Sequence, residues 1–369
     1  MGRRLERVRD ERYDHRYGFT DSTPFLPKPG IEAASLTTPT EYYEQRACVP
    51  GTLIISEATV IAQNAAGRRN CPGIWSQAQI ASWKDITTAV HKKGCAIYCQ
   101  LWHQGRAADP EVLESQGYRL LSSSAVPTSP QSKTPDAMTE AEIQDVIKDY
   151  AQAAKNAIAA GFDGVEIHGA NGYLCDQFLQ TTCNQRTDGW GGSIENRARF
   201  HVEVTRAVAA AVGAERTAMR LSPYSSFEGM LMEEPEPTFA YLLEQLKPMG
   251  LAFLHLIEAR IHGNDDSDCG GQKSVEWMVR KWGNVSPVLI AGGFSPESAK
   301  QAVDEKYREY DVVIVFGRYF VTNPDLVYRV REGLPLSAYD RKVFYTPKEP
   351  KGYIDYPLSQ QYLQAAASA

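Results

Sequence analysis

The chain has 369 residues, is 43% hydrophobic and carries a formal net charge of −6, which suits two ordinary domains or one large α/β barrel with extensions. A net negative chain without a clustered basic face is a poor partner for nucleic acid or an anionic membrane, so a small molecule is expected instead. Met1-Gly-Arg-Arg-Leu-Glu-Arg-Val-Arg-Asp10 lacks the apolar core of a signal peptide, and no window approaches the roughly 20 apolar residues of a membrane helix, so a cytoplasmic location is expected.

Residues 1–40 form an atypical N-terminal segment: Arg3-Arg-Leu-Glu-Arg-Val-Arg9 is charged at nearly every second position, and the stretch from Asp10 to Thr40 is polar and contains prolines. Phe25-Leu-Pro-Lys-Pro-Gly30 reads as an extended loop, because each Pro removes a donor and restricts the residue before it. From there apolar, often β-branched runs recur at Gly51–Val60, Cys95–Trp102, Gly164–Ile167, Arg216–Ser222, Phe253–Ile257, Pro287–Ala291 and Asp311–Phe316. Helical patterns lie between them, near 77–93, 139–160, 193–212, 236–248, 273–282 and 296–308. Thr139-Glu-Ala-Glu142 is a capping box, and Ser193 is a candidate N-cap. Strands apolar on both faces, each followed by a helix, imply a parallel sheet covered on both sides, and this many units favour a (β/α)8 TIM barrel with an atypical or degraded first strand. A doubly wound open sheet is the alternative. The barrel is assigned to residues 41–345 and a C-terminal extension to 346–369. No Gly-x-Gly-x-x-Gly follows a strand, which argues against a Rossmann dinucleotide domain.

The cysteines, Cys48, Cys71, Cys95, Cys99, Cys175, Cys183 and Cys269, are seven in number and widely spread. Reduced thiols are expected, and no Cys or His set has zinc-ligand spacing, so no metal is expected.

The most informative stretch is His168-Gly-Ala-Asn-Gly-Tyr-Leu-Cys-Asp-Gln-Phe178. It places an imidazole, an amide and a phenol just after an apolar strand. A sharp Gly-Ala-Asn-Gly turn lets His168 and Asn171 converge as paired donors on one small oxygen while Tyr173 points in from the side, an arrangement suited to a carbonyl substrate. His103, His255 and His262 are further candidates for the mouth. The loops 107–137 and 264–271 are candidate lids.

This stretch and Asn184-Gln-Arg-Thr-Asp-Gly-Trp-Gly-Gly-Ser-Ile-Glu-Asn-Arg-Ala-Arg-Phe200 resemble the Old Yellow Enzyme family of flavin-dependent ene-reductases. The resemblance runs from about Glu41 to Tyr362 and includes Glu41-Tyr-Tyr-Glu-Gln-Arg-Ala47, Gln100-Leu-Trp102, Ala291-Gly-Gly293, Phe316-Gly-Arg318 and Gly352-Tyr-Ile-Asp-Tyr-Pro357. It is similar to the fungal subgroup that includes ergot-alkaloid reductases and isomerases.

The resemblance implies FMN at the C-terminal mouth of the barrel, reduced by NADPH and re-oxidised by an α,β-unsaturated aldehyde or ketone. His168 and Asn171 would hold the carbonyl oxygen and stabilise the enolate. Tyr173 would protonate the α-carbon, since a phenol with an ordinary pKa near 10 is protonated at neutral pH. Ala58 would lie beside the flavin ring, Gln100 and Arg220 at its pyrimidine edge, and Gly293, Gly317 and Arg318 around the phosphate. Trp102 and Tyr345 would line the substrate pocket. Arg220, in an apolar strand, requires a partner, either the flavin edge or a carboxylate such as Glu57.

One departure is plain. The family's apolar first strand, ending in a Met-Ala-Pro-Leu-Thr-Arg type motif, has no evident counterpart, and Leu5-Glu-Arg-Val-Arg9 is its nearest remnant. Two functions are therefore carried forward. One is an FMN- and NADPH-dependent ene-reductase acting on a conjugated carbonyl in fungal secondary metabolism, as a monomer or homodimer. The other is a flavin-poor or flavin-free barrel catalysing an isomerisation, cyclisation or addition. An intact N-terminus of this kind predicts weak FMN occupancy and a barrel wall covered by another segment or a second subunit.

Overall fold

Eight strands, all parallel to their neighbours, follow one another round a closed barrel. A computed structural model of the protein describes residues 17–20, 37–259, 273–344 and 350–368. The strands are β1 Tyr17–Thr20, β2 Leu53–Val60, β3 Ala96–Trp102, β4 Gly164–His168, β5 Thr217–Leu221, β6 Leu254–Ile257, β7 Val288–Ala291 and β8 Val312–Phe316. The seven strands read from apolar runs are all present within a residue or two, and the open-sheet alternative is excluded by closure.

The first strand is a correction. β1 lies in the stretch read as polar loop, and it pairs with β8 (Tyr17 opposite Ile314) and with β2 (Phe19 opposite Ile54). A four-residue strand carries too short a pattern to stand out among charged neighbours, yet it supplies the backbone groups that complete the ring. That wall is thus closed by another segment of the chain. Leu5–Arg9 lies outside the described residues.

Alternation along the strands divides the core in two. Ile55, Tyr98, Ala218, Phe253, Leu289 and Val315 pack together inside the barrel. Their neighbours in sequence, such as Ile54, Ile97, Leu254, Ile290 and Ile314, join the larger core shared with Trp83, Tyr150, Phe200, Phe239 and Trp282 of the surrounding helices. Both faces of each strand are therefore apolar, which is why the strands read as continuous runs.

The helices are started by local chemistry. In the helix Gln77–Lys92 Ser76 and Gln79 form a capping box, and in Glu140–Ala159 Thr139 and Glu142 do the same. Ser193 Oγ accepts the Asn196 N–H at 3.3 Å to begin Ile194–Val212. The last expected helix stops at Gln301 and passes into a π-helical turn, 302–306.

A helix absent from the sequence reading, Thr37–Arg46, anchors the C-terminal segment. Its Arg46 is fully buried and donates to the carbonyls of Tyr42, Phe320, Val321 and Tyr353. Tyr353 stacks on Tyr42 with ring centroids 4.2 Å apart. Among the described residues no helix is long and apolar enough to cross a membrane, and no group of three or more His, Cys, Asp or Glu could hold a metal ion.

Candidate active site

The C-terminal strand ends gather the polar residues. Residues two apart share a strand face, so Gln100, Arg220 and His255 lie one layer above Tyr98, Ala218 and Phe253, towards the mouth. Register aligns them: Ala58 is opposite Gln100, Gln100 opposite Glu166, His168 opposite Arg220 and Arg220 opposite His255. Ala58 and Arg220 keep partial exposure in strands that are mostly buried.

After His168 the chain makes a left-handed turn. Asn171 has φ +56° and Gly172 φ +72°. Asn171 tolerates this conformation better than most residues with a Cβ. Gly172 is required, since a Cβ there would sit 2.7 Å from both the Glu228 Cβ and the Phe227 carbonyl oxygen. The turn is held on several sides. The Asn171 N–H donates to Ser222 Oγ at 2.7 Å, the Gly172 N–H to Asp176 Oδ2 at 2.9 Å, and Gln177 Nε2 donates to the Gly172 carbonyl at 2.7 Å.

Tyr173 caps the helix Leu174–Leu179 in extended backbone. Its ring stands edge-on to both Trp102 and His168, with centroids 4.9 Å apart in each case and interplanar angles of 87° and 84°. The phenol ring is thereby fixed between two other rings at the mouth.

His168 is buried, and burial together with the nearby charge of Arg220 drives its pKa well below the ordinary imidazole value. It is a neutral ring, able to donate from one nitrogen. Its Nδ1, the Trp102 Nε1 and the Arg220 Nε are buried and lack a hydrogen-bond partner among the described residues. Unsatisfied buried donors are costly, of order 1–3 kcal/mol each, so their clustering at one mouth marks a place for a polar ligand.

The carboxylate near Arg220 is Glu166, not Glu57. Glu166 is fully buried, and Arg220 helps hold its pKa below the usual carboxylate range, behind His255. Glu57 lies near Cys71 instead, where its charge raises the thiol pKa. His255 is inside the barrel and not at the open mouth: it is fully buried, with Nδ1 2.7 Å from Glu166 Oε2. His103 is also buried, its Nδ1 accepting the Gly105 N–H at 3.0 Å, and burial lowers its pKa to about 4. His255 was a candidate for the mouth and lies inward instead, while Glu166 had no assigned role from sequence. The signal was one acidic residue in the apolar strand Gly164–Ile167.

The expected phosphate residues follow β7 and β8, which lie side by side. Gly292 and Gly293 both have positive φ, +139° and +64°. Gly317 precedes the short helix Arg318–Thr322, and the Arg318 guanidinium lies over the Tyr339 ring at 6.0 Å. The ends of the seventh and eighth strands are where barrels commonly bind phosphate. Together with the partnerless Arg220 Nε, these residues fit an FMN: Ala58, Gln100 and Arg220 for the ring, Gly293, Gly317 and Arg318 for the phosphate. Tyr345, His262 and the loop 264–271 lie outside the described residues. The candidate lid 107–137 contains a short helix, Pro110–Glu114, and a small two-stranded ribbon, Leu121–Ser122 with Asp136–Ala137.

Comparison with known proteins identifies the family. The sequence model of the NADH:flavin oxidoreductase / NADH oxidase family matches residues 30–337. Chanoclavine-I aldehyde reductase fgaOx3 of Penicillium roqueforti is 54% identical over 330 residues, covering 89% of each chain. NADP-dependent oxidoreductase lnbE of Aspergillus flavus is 52% identical, covering 87% of each. A third relative, at 51% identity over 87% of this chain and 86% of its own, is named probable inactive reductase easA, from Epichloe festucae var. lolii. The crystal structure of Old Yellow Enzyme from Pichia sp. AKU4542 superposes with a TM-score of 0.84 at 39% identity, covering 94% of this chain and 90% of that one. The chain therefore belongs to the NADH:flavin oxidoreductase / NADH oxidase family, as an FMN-type oxidoreductase with the Old Yellow Enzyme barrel, of the kind found in fungal secondary metabolism.

Proposed function

We propose that the protein is an NADPH-dependent ene-reductase that saturates the C=C bond of an α,β-unsaturated aldehyde or ketone. The observation that carries this reading is the His168–Asn171–Tyr173 turn, with Tyr173 set between the Trp102 and His168 rings and His168 opposite Arg220 on the next strand. The relatives named as a chanoclavine-I aldehyde reductase and as an NADP-dependent oxidoreductase support the substrate class and the hydride source.

FMN, which Ala58, Gln100, Arg220, Gly293, Gly317 and Arg318 would hold, would supply the hydride for the substrate β-carbon after reduction by NADPH. Neutral His168 and the Asn171 amide donate to the carbonyl oxygen and stabilise the enolate charge that develops there. Donors held in place by the surrounding hydrogen bonds need little reorganisation as that charge grows. The Tyr173 hydroxyl then gives its proton to the α-carbon. Trp102 walls the pocket and fixes the phenol's angle.

A second reading, a non-redox isomerisation, cyclisation or addition with little or no flavin, uses the same turn. Its support is the relative named as a probable inactive reductase and the missing Met-Ala-Pro-Leu-Thr-Arg type motif.

Product analysis tests the first reading. With NADPH and a conjugated aldehyde, the expected product is the saturated aldehyde, with hydride from NADPH found at the β-carbon. An unsaturated alcohol, or an isomer formed without NADPH consumption, would overturn it.

A further inference from the structure

Beneath the mouth, inside the barrel, three side chains from three strands meet with no exposure to solvent beyond a few per cent. Gln100 Nε2 donates to Glu166 Oε1 at 2.7 Å, and His255 Nδ1 donates to Glu166 Oε2 at 2.7 Å. Both carboxylate oxygens are thus satisfied by groups that point at them from either side. His255 Nε2 has no partner among the described residues, which fits a neutral ring whose only proton is on Nδ1. Burial lowers the His255 pKa in spite of Glu166, while His255, Arg220 and Gln100 lower that of Glu166. The network therefore holds one negative charge, on Glu166, and the nearby Arg220 holds one positive charge.

We infer that Glu166 is a positioning residue that acts through Arg220: its buried carboxylate offsets part of the guanidinium's field and so holds the bound flavin's reduction potential down. The inference rests on the reading that Arg220 lies at the flavin edge. A barrel that only needed a neutral filler at this position would gain nothing from an acid, because a buried charge carries a desolvation cost that an apolar residue avoids. Opposite charges attract and like charges repel, more strongly in a dry interior than in water. An anion forming beside Arg220 on reduction thus meets attraction from Arg220 and repulsion from Glu166. Removing the second leaves the reduced state more favoured.

The test is the midpoint potential of bound FMN in the holoenzyme and in Glu166→Gln, alongside the dissociation constant of oxidised FMN. Gln keeps the size and an acceptor for Gln100, and His255 can present Nδ1 as an acceptor by moving its proton to the partnerless Nε2. The expected result is a rise in potential equal to at least tenfold tighter relative binding of reduced over oxidised FMN, about 30 mV for a two-electron couple. An unchanged or lower potential with FMN bound overturns the inference while leaving the flavin reading intact. A wild-type protein that binds no FMN overturns both. If Glu166→Gln does not fold, the paired Glu166→Leu, His255→Leu variant removes the same charge with an apolar filling, and the same rise is expected. A purely structural role would change the unfolding midpoint and leave the potential where it was.

Discussion

Asp176 Oδ2 accepts the Gly172 N–H at 2.9 Å while its Oδ1 accepts Gln180 Nε2 at 2.8 Å, and Gln180 Oε1 in turn accepts the Leu231 and Met232 N–H groups. One buried carboxylate thereby ties the turn carrying Asn171 to the loop that follows β5. Both of its oxygens face donors, which lower its pKa by less than burial raises it.

Burial raises the Asp176 pKa to about 7 from 3.8. The folded protein therefore holds a proton there between about pH 4 and 7 that the unfolded chain has lost, and its stability falls as pH rises across that window. In Asp176→Asn this contribution is absent. Urea unfolding at pH 5 and at pH 8 should show the variant gaining on the wild type as pH rises; a pH-independent difference would remove the assignment.

Gly172→Ala should destabilise the fold and weaken activity together. The positive φ alone costs of order 1–3 kcal/mol for a residue with a Cβ, and the added methyl meets Glu228 and Phe227 at 2.7 Å. Asn171→Gly is the matching control: the backbone accepts it, so the unfolding midpoint should hold while turnover falls. Equal loss of stability in both variants would count against this separation.

Tyr173→Phe should leave FMN reduction by NADPH unchanged and slow turnover of a conjugated aldehyde by about 10²–10⁴-fold, the usual worth of a positioned acid. The ring contacts to Trp102 and His168 survive the change, so stability should not move. Full turnover in this variant would end the acid role.

Much of this was legible in the sequence. Strands buried on both faces announce themselves as apolar runs, and His168, Asn171 and Tyr173 stood out because polar groups seldom cluster just after one. Tyr17–Thr20 was not legible, since four residues between charged stretches carry no period, and pairing with β8 and β2 defines them. The helix Thr37–Arg46 was missed because its Arg46 reads as a surface charge until Phe320, Val321 and Tyr353 supply carbonyls from more than 270 residues away. Glu166 hid for a similar reason: its partners Gln100 and His255 lie 66 and 89 residues off in the chain.

The visible spectrum of the purified protein with added FMN, before and after NADPH and then after a conjugated aldehyde, tests the central claim most directly. The expected result is a protein-bound flavin band that bleaches with NADPH and returns with the aldehyde. A protein that takes up no FMN, or a bound flavin that NADPH does not bleach, would contradict the ene-reductase account and favour non-redox chemistry at the same turn.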